Sequence, residues 1–305
     1  MRSYKDDLER ARRALRPPEN AYERLLERRD RKRRNNRLAA GVLGLMIASS
    51  ALLAVLFSAF THDPEVAEPG PKCVPSPADL THWWPGNGSG ADAVGGGSAT
   101  LHGDATFGPG RIGQAFALDG AGDFVSVPDD PTLDLGTGDF TLALWVNFDD
   151  TEDDQILVEK WVQRSFEPEI VTGWTFETLP DNRVGFAVGY PTEGGFAVVS
   201  RRLDIPIGTW IHFAVRRRGD RFQIFMNGKV IRSRTAPEGP VLDLDSPSSL
   251  KFGHRGDPDD TPGSISHQRL FLDGRVDDVK FIVGRALSQS EIRAMVEAGT
   301  SGKQC

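Results

Sequence analysis

The side chains best suited to ligand binding are Trp161, Arg164 and Tyr190. Trp161 and Arg164 follow the segment QILVEK in a predicted loop, and Tyr190 comes just before the turn-like sequence PTEGG. Sugar-binding sites commonly combine an aromatic ring with a few polar groups that orient the ligand. These three residues are therefore the candidate binding residues, and no residue is assigned a catalytic role.

Catalytic patterns do not stand out in the sequence. The six histidines have no i,i+2 or i,i+4 partner and no neighbouring cysteine, which argues against a zinc site. His212 lies inside an apolar strand pattern and is interpreted as a core residue. No G-x-S-x-G elbow precedes a helix. We therefore expect that the chain is not an enzyme.

Calcium is the better-supported ion, because aspartates are frequent in the turns and calcium takes six to eight oxygen ligands from flexible loops. Asp149, Asp150, Asp153 and Asp154 form one such acidic segment. Four clustered acids are also typical of a solvated loop. Both interpretations of this segment remain open.

The elements that would position these residues are mostly strands. From Leu80 onward, short apolar runs alternate with Gly, Pro, Asp and Asn turns, which predicts an all-β, two-sheet antiparallel sandwich. Residues 140–148 alternate with apolar side chains on both faces, which predicts a covered central strand. Asn227-Gly228 predicts a tight hairpin. Residues 288–298 form the helical segment, with Ser288 and Glu291 at capping-box positions.

A different signal precedes the sandwich. Residues 38–60 contain no charged side chain, and 23 residues form a helix of about 35 Å, enough to cross a membrane. Basic residues lie before this run and acidic residues after it, which predicts a cytoplasmic N-terminus and an extracytoplasmic C-terminal part at the cell membrane. A cleaved signal peptide and a buried globular helix are the alternatives.

Charge divides the chain at the same place. Residues 1–37 contain 14 Lys and Arg against 7 Asp and Glu, whereas the remainder contains 22 against 36. The basic segment, predicted to be helical, suits contact with anionic lipid of the cytoplasmic leaflet, and residues 1–27 are an alternative docking site for a cytoplasmic partner. The acidic part argues against nucleic-acid binding. Residues 61–77 are Pro-rich and predict an extended stalk before the domain 78–305.

The two cysteines, Cys73 and Cys305, lie at opposite ends of the outer part. An extracytoplasmic location permits a disulfide, and their placement suggests one that joins the two ends of the domain. Two free thiols, or an intermolecular bridge through Cys305, are the alternatives.

Six segments then occur in a fixed order. They are Leu80 with Trp83-Trp84, then FGPGRIGQAFALDGAGDFVSVP (107–128), DFTLALWV (139–146), GTWIHFAV (208–215), FQIFMNGKV (222–230) and LDGRVDDVKFIVGRALSQSEI (272–292). Together they resemble bacterial laminin-G-like jelly-roll domains of the concanavalin A-like lectin/glucanase superfamily. The resemblance implies a jelly roll whose first and last strands are neighbours, which would bring Cys73 and Cys305 near each other.

The same resemblance implies two further expectations. A structural calcium in related jelly rolls matches Asp119 of LDG and Asp277 of RVDD, although both residues also suit capping roles at turns and strand ends. The glucanases carry a Glu-x-Asp-x-(x)-Glu strand, and this sequence has none.

These observations favour a non-catalytic extracytoplasmic module that binds a glycan or an envelope protein and is tethered by one N-in helix. A transmembrane sensor that relays ligand binding to a cytoplasmic partner is the alternative. A polysaccharide-active enzyme ranks behind both.

Overall fold

The computed structural model describes residues 77, 79–164, 170–189, 195–239, 241–255 and 270–301. These residues belong to the second of two compact units of the chain, Pro69–Cys305. The predicted segment 1–37, the apolar run 38–60 and all of the stalk 61–77 except its last residue lie outside the described residues, as do Cys73 and Cys305. In the described part of the chain, no helix is both long and apolar enough to cross a membrane.

The described residues form fifteen strands, one short 3-10 turn (Pro131–Leu133) and one α-helix. The strands are β1 (His82–Trp84), β2 (Thr100–His102), β3 (Thr106–Pro109), β4 (Gln114–Asp119), β5 (Phe124–Val127), β6 (Phe140–Phe148), β7 (Gln155–Arg164), β8 (Ile170–Leu179), β9 (Arg183–Val188), β10 (Phe196–Val199), β11 (Trp210–Arg218), β12 (Arg221–Met226), β13 (Lys229–Thr235), β14 (Leu250–Phe252) and β15 (Asp273–Val283). The helix is α1 (Gln289–Ser301).

The strands form two antiparallel sheets that share one apolar core. One sheet has the order β13-β12-β11-β6-β15-β4-β3, and β1 also pairs with β15. The other sheet has seven strands in the order β10-β9-β8-β7-β14-β5-β2. This arrangement confirms the predicted all-β, two-sheet antiparallel sandwich.

The central strand β6 shows why the sheets stack. Its side chains alternate as predicted, and Phe140, Leu144 and Phe148 enter the core between the sheets. Ala143, on the opposite face, joins a second apolar cluster that includes Leu287 from the segment leading into α1. All nine residues of β6 are buried, so this strand is covered on both faces.

The second cluster lies where α1 covers the outer face of the eight-stranded sheet. Ile292 and Met295 supply the apolar side of the helix. Its start is a reciprocal capping box, in which Glu291 N–H donates to Ser288 Oγ (3.2 Å) and Ser288 N–H donates to Glu291 Oε2 (2.6 Å). The predicted helix therefore forms at its predicted start.

The β12–β13 hairpin turns at Asn227 and Gly228, with φ of 48° and 73°. A type I′ turn needs positive φ at both central residues, which Asn and Gly tolerate best. The hairpin makes β13 the edge strand of its sheet.

Candidate functional site

A row of side chains crosses the seven-stranded sheet on the face away from the core. The residues that are opposite one another in register are, from β2 to β10, Thr100, Ser126, Lys251, Glu159, Thr175, Ala187 and Ala197. Their sequence neighbours Phe252, Val158 and Phe176 belong to the core. Because side chains alternate along a strand, the row lies on the outer face.

Charged groups in this row are buried together. Glu159 and Lys251 are both fully buried, and Lys251 Nζ lies 3.8 Å from Glu159 Oε1. Lys251 Nζ also donates to Ser248 Oγ (3.0 Å). Burying a charge costs free energy unless a group of opposite sign lies beside it. The contacts of Glu159 and Lys251 therefore offset the cost of burying both side chains.

Arg255 completes the arrangement from the end of the segment after β14. Its Nε lies 3.4 Å from Glu159 Oε2, and its Nη2 donates to Glu177 Oε2 (2.5 Å) and Thr175 Oγ1 (3.2 Å). We name Glu159, Glu177, Lys251 and Arg255 the four-charge cluster. Two carboxylates and two cations give it no formal net charge.

The electrostatics of Glu177 follow from this position. Burial raises the pKa of Glu177, while the adjacent Arg255 guanidinium acts in the opposite direction. Burial likewise raises the pKa of Asp154, which lies in the loop before β7. In both groups burial is the largest cause of the shift.

Trp161 lies at the margin of the cluster, where it is half-buried. The Arg255 guanidinium carbon is 5.9 Å from the centre of its indole ring. Its indole Nε1 is buried and has no hydrogen-bond partner among the described residues. A large ring beside an arginine suits a polar ligand that also has an apolar face.

An aromatic stack flanks the cluster on the side of β5. His102 stacks on Phe124 at 4.3 Å, and His254 lies 4.7 Å from the same phenylalanine ring. His254 also stacks on Phe271 at 4.4 Å, and His102 Nε2 lies 2.7 Å from Ser126 Oγ. Because His254 immediately precedes Arg255, these contacts also help to position the backbone of Arg255.

The structure places the predicted binding residues as follows. Trp161 lies in strand β7 and not in a loop, because the β7–β8 hairpin continues to the pair Arg164–Ile170. That placement corrects the predicted end of the strand, and Arg164 becomes its last residue. Tyr190 lies outside the described residues. The cluster next to Trp161 therefore comes from side chains that the sequence did not single out.

The two aspartates predicted for calcium lie on neighbouring strands but are not brought together. Asp119 is opposite Asp273, so Asp277 lies four residues further along β15, roughly 13 Å away. Asp277 Oδ2 instead accepts hydrogen bonds from the backbone N–H groups of Arg111 (2.6 Å) and Ile112 (3.1 Å). A single ion shared by Asp119 and Asp277 does not fit this register.

Asp119 does approach two other acids, Asp104 and Asp123. One carboxylate oxygen from each of the three lies within 4.8 Å of the others. Burial, together with the charge of Asp119, raises the pKa of Asp123 to about 7. Asp123 also accepts from the N–H groups of Asp104 (2.7 Å) and Asp119 (3.2 Å), as a turn-stabilising carboxylate does. Bound calcium therefore stays a prediction.

The carboxylates of the four-charge cluster could suggest acid–base chemistry, since Glu159 and Glu177 share a face on adjacent strands. A retaining glycosidase needs one carboxylate as a nucleophile and the other as a proton donor. Here one guanidinium contacts both. The arrangement favours fixed hydrogen-bonding groups over a reacting pair.

Comparison with known proteins identifies the family. The model of the concanavalin A-like lectin/glucanases superfamily, Laminin_G_3, matches residues 119–293. The chain belongs to this superfamily. No curated protein matches the chain significantly.

Solved structures show the same lectin-like fold at low identity. Domain 4 of AbnA, an extracellular arabinanase from Geobacillus stearothermophilus, in complex with arabinotriose, is 19% identical with a TM-score of 0.51, covering 72% of this chain and 98% of that one. The botulinum neurotoxin serotype D domain in complex with N-acetylneuraminic acid is 13% identical with a TM-score of 0.52, covering 72% of this chain. The binding domain of Paraclostridial Mosquitocidal Protein 1 is 16% identical with a TM-score of 0.50, covering 66% of this chain. This chain spans only 50% and 47% of the two toxin domains.

Proposed function

We propose that the chain is a non-catalytic glycan-binding module whose ligand surface is the outer face of the seven-stranded sheet around Trp161 and the four-charge cluster. The observation that carries this proposal is the half-buried indole of Trp161 beside Arg255, next to a row of fixed polar groups. The sugar's apolar face would pack on the indole ring, and its hydroxyls would meet Arg255 and Glu177.

The groups that reach solvent define the contact. The side chains of Arg255 and Glu177 are 18% and 12% exposed, whereas those of Glu159 and Lys251 are fully buried. The buried pair would therefore support the two groups that touch the ligand and keep them in place.

The charge balance points to an uncharged sugar. Every charge of the cluster is already paired with a charge of opposite sign. An ionised ligand would therefore lose its hydration at this surface without meeting an unpaired charge of opposite sign. The arabinotriose complex of the AbnA domain supports this choice, because that fold holds a neutral oligosaccharide. The toxin domain that carries N-acetylneuraminic acid is matched over only half of its length.

The location is part of the same proposal. The uncharged run 38–60, with basic residues before it and acidic residues after it, would anchor the chain in the cell membrane with the domain 78–305 outside. The stalk would keep the ligand surface close to the envelope.

The test is binding of the purified full chain to an array of neutral and sialylated oligosaccharides that includes arabinotriose. We expect a neutral oligosaccharide to bind and Trp161→Ala to weaken it about tenfold, equivalent to about 1.4 kcal/mol. Trp210→Ala is the matched control, because Trp210 is a half-buried tryptophan of the other sheet. An array without any bound sugar, or an equal loss in both variants, would overturn the proposal.

A further inference from the structure

Cations are concentrated in one part of this acidic domain. Residues 201–234 contain nine Lys and Arg against two Asp, whereas the rest of 78–305 contains 12 against 31. Arg216 and Arg217 are buried, and Arg217 Nη1 donates to the carbonyl of Leu242 (2.7 Å). The other seven cations of the segment are exposed.

Five of these exposed cations collect where the edges of the two sheets meet. Lys229, Arg232 and Arg234 lie on the edge strand β13, and Arg201 and Arg202 follow the edge strand β10. Arg234 joins the two edges, because its Nη1 donates to the carbonyl of Ala197 in β10 (2.5 Å). Arg201 is four residues beyond Ala197, within about 14 Å of it. We name these five residues the basic edge.

None of the five forms an ion pair with another residue that the structure describes. The two acids of the same segment, Asp204 and Asp220, are exposed and likewise stand outside the ion pairs of the described residues. The basic edge thus presents positive charge that no ion pair of the described residues neutralises, and attraction to an anion falls off over a Debye length of about 8 Å at physiological salt.

Protection against strand pairing explains only part of this pattern. Edge strands often carry Lys and Arg to prevent pairing with another chain, and that accounts for the cations on β13. Arg201 and Arg202 lie beyond the end of β10, where no strand edge needs protection. Their addition to the same edge calls for an anionic partner.

The exposed side chains of the described residues favour one class of anionic partner over the others. Among the described residues, the exposed large hydrophobic side chains are Val94, Ile207, Val230 and Val241, and only Val230 lies on β13. A surface that binds lipid usually presents several exposed apolar side chains that insert into the membrane. A surface that binds single-stranded nucleic acid usually presents exposed aromatic rings on which bases stack, and none of those four residues is aromatic. Arg232 and Arg234 share one face of a strand at a spacing of roughly 7 Å, which suits an extended charged polymer.

We propose that the basic edge is a second binding surface, separate from the Trp161 face, and that it takes a linear acidic polysaccharide. The exposed guanidinium groups would contact sulfate or carboxylate groups along the polymer. This inference does not depend on the glycan site at Trp161, since the two surfaces share no residue.

The experiment is a footprint on the full chain with dextran sulfate as the probe and neutral dextran as its matched control. Arginine labelling by phenylglyoxal, read by mass spectrometry at 0.15 M salt, reports each guanidinium separately. We expect dextran sulfate to slow labelling of Arg201, Arg202, Arg232 and Arg234 at least threefold. Arg275 of β15, which lies outside the basic edge, should react at an unchanged rate, and neutral dextran should protect no arginine of the basic edge.

A variant confirms the location. Arg201→Gln/Arg202→Gln/Arg232→Gln replaces only exposed side chains, so its melting temperature at 0.15 M salt should stay within about 2 °C of that of the parent chain, while dextran sulfate no longer protects Arg234. Equal slowing at all arginines, or none at the basic edge, would overturn the proposal. Protection by phosphatidylglycerol vesicles without protection by dextran sulfate would replace the polysaccharide with a lipid surface and overturn it as well.

Discussion

The four-charge cluster and the basic edge differ in whether their charges are buried and paired. In the cluster, Glu159 and Lys251 are fully buried and each has a partner of opposite sign. On the basic edge, Arg201, Arg202 and Arg232 are exposed and pair with no described acid. Burial forces compensation, whereas solvent tolerates isolated charge. The cluster therefore suits fixed hydrogen bonds, and the basic edge suits long-range attraction of an anion.

The largest effect on stability is expected from removing Arg255, the cation that contacts both carboxylates of the four-charge cluster. Arg255→Met keeps the aliphatic bulk but leaves Glu177 and one oxygen of Glu159 without their guanidinium. We expect the free energy of unfolding to fall by about 3 kcal/mol at pH 7, because removing one partner of a buried pair leaves an uncompensated charge. Urea denaturation followed by fluorescence measures the change.

The matched control is Arg232→Met on the basic edge, which makes the same chemical change at an exposed position. Its free energy of unfolding should change by no more than about 0.5 kcal/mol. Equal losses in the two variants would show that the cluster is not electrostatically distinct from the surface.

Local patterns in the sequence predicted most of the fold. The alternation of Phe140–Phe148, the Asn227-Gly228 turn and the Ser288–Glu291 capping box each depend on neighbours within a few residues, and all three form as expected. A local pattern suffices where the physical cause is local.

The four-charge cluster could not be predicted in this way. Arg255 meets Glu159 across 96 residues and Glu177 across 78. The register of β7, β8 and β14 brings these side chains together, and no spacing in the sequence encodes that register. The same reason explains why Asp119 and Asp277 were grouped although the β4–β15 register separates them.

A third arrangement of charge lies on the outer face of the eight-stranded sheet, where buried groups lose their charge. Burial raises the pKa of Asp277 to about 7, and burial with the charge of Lys280 lowers the pKa of His212 to about 3. Both residues are opposite Trp145 in register. Near pH 6 both side chains are mostly neutral, whereas the unfolded chain carries a charge on each.

The two groups should act on stability with opposite signs. The raised pKa of Asp277 gives stability that is present below the unfolded pKa of 3.8 and is lost as the pH rises to about 7. The lowered pKa of His212 removes stability as the pH falls from 6.5 towards 3. Relative to the parent chain, Asp277→Asn should gain stability as the pH rises from 4 to 7, and His212→Gln should lose it.

Each slope should reach at most about 1.4 kcal/mol per pH unit, the value for one proton. Urea titrations of the parent chain and both variants between pH 4 and 8 measure the slopes. Slopes of the same sign in both variants would contradict the assignment of neutral groups to this face.

The smallest expected effect concerns the basic edge itself. In Arg201→Gln/Arg202→Gln/Arg232→Gln, repulsion among neighbouring cations is reduced and no ion pair of the described residues is broken. We expect a gain of about 0.5 kcal/mol in the free energy of unfolding at low salt, because uncompensated like charges destabilise the compact state. At 1 M salt the Debye length is about 3 Å, so the gain should disappear. A loss in place of this gain would mean that acidic groups of the domain compensate these cations, and the contrast with the four-charge cluster would fail.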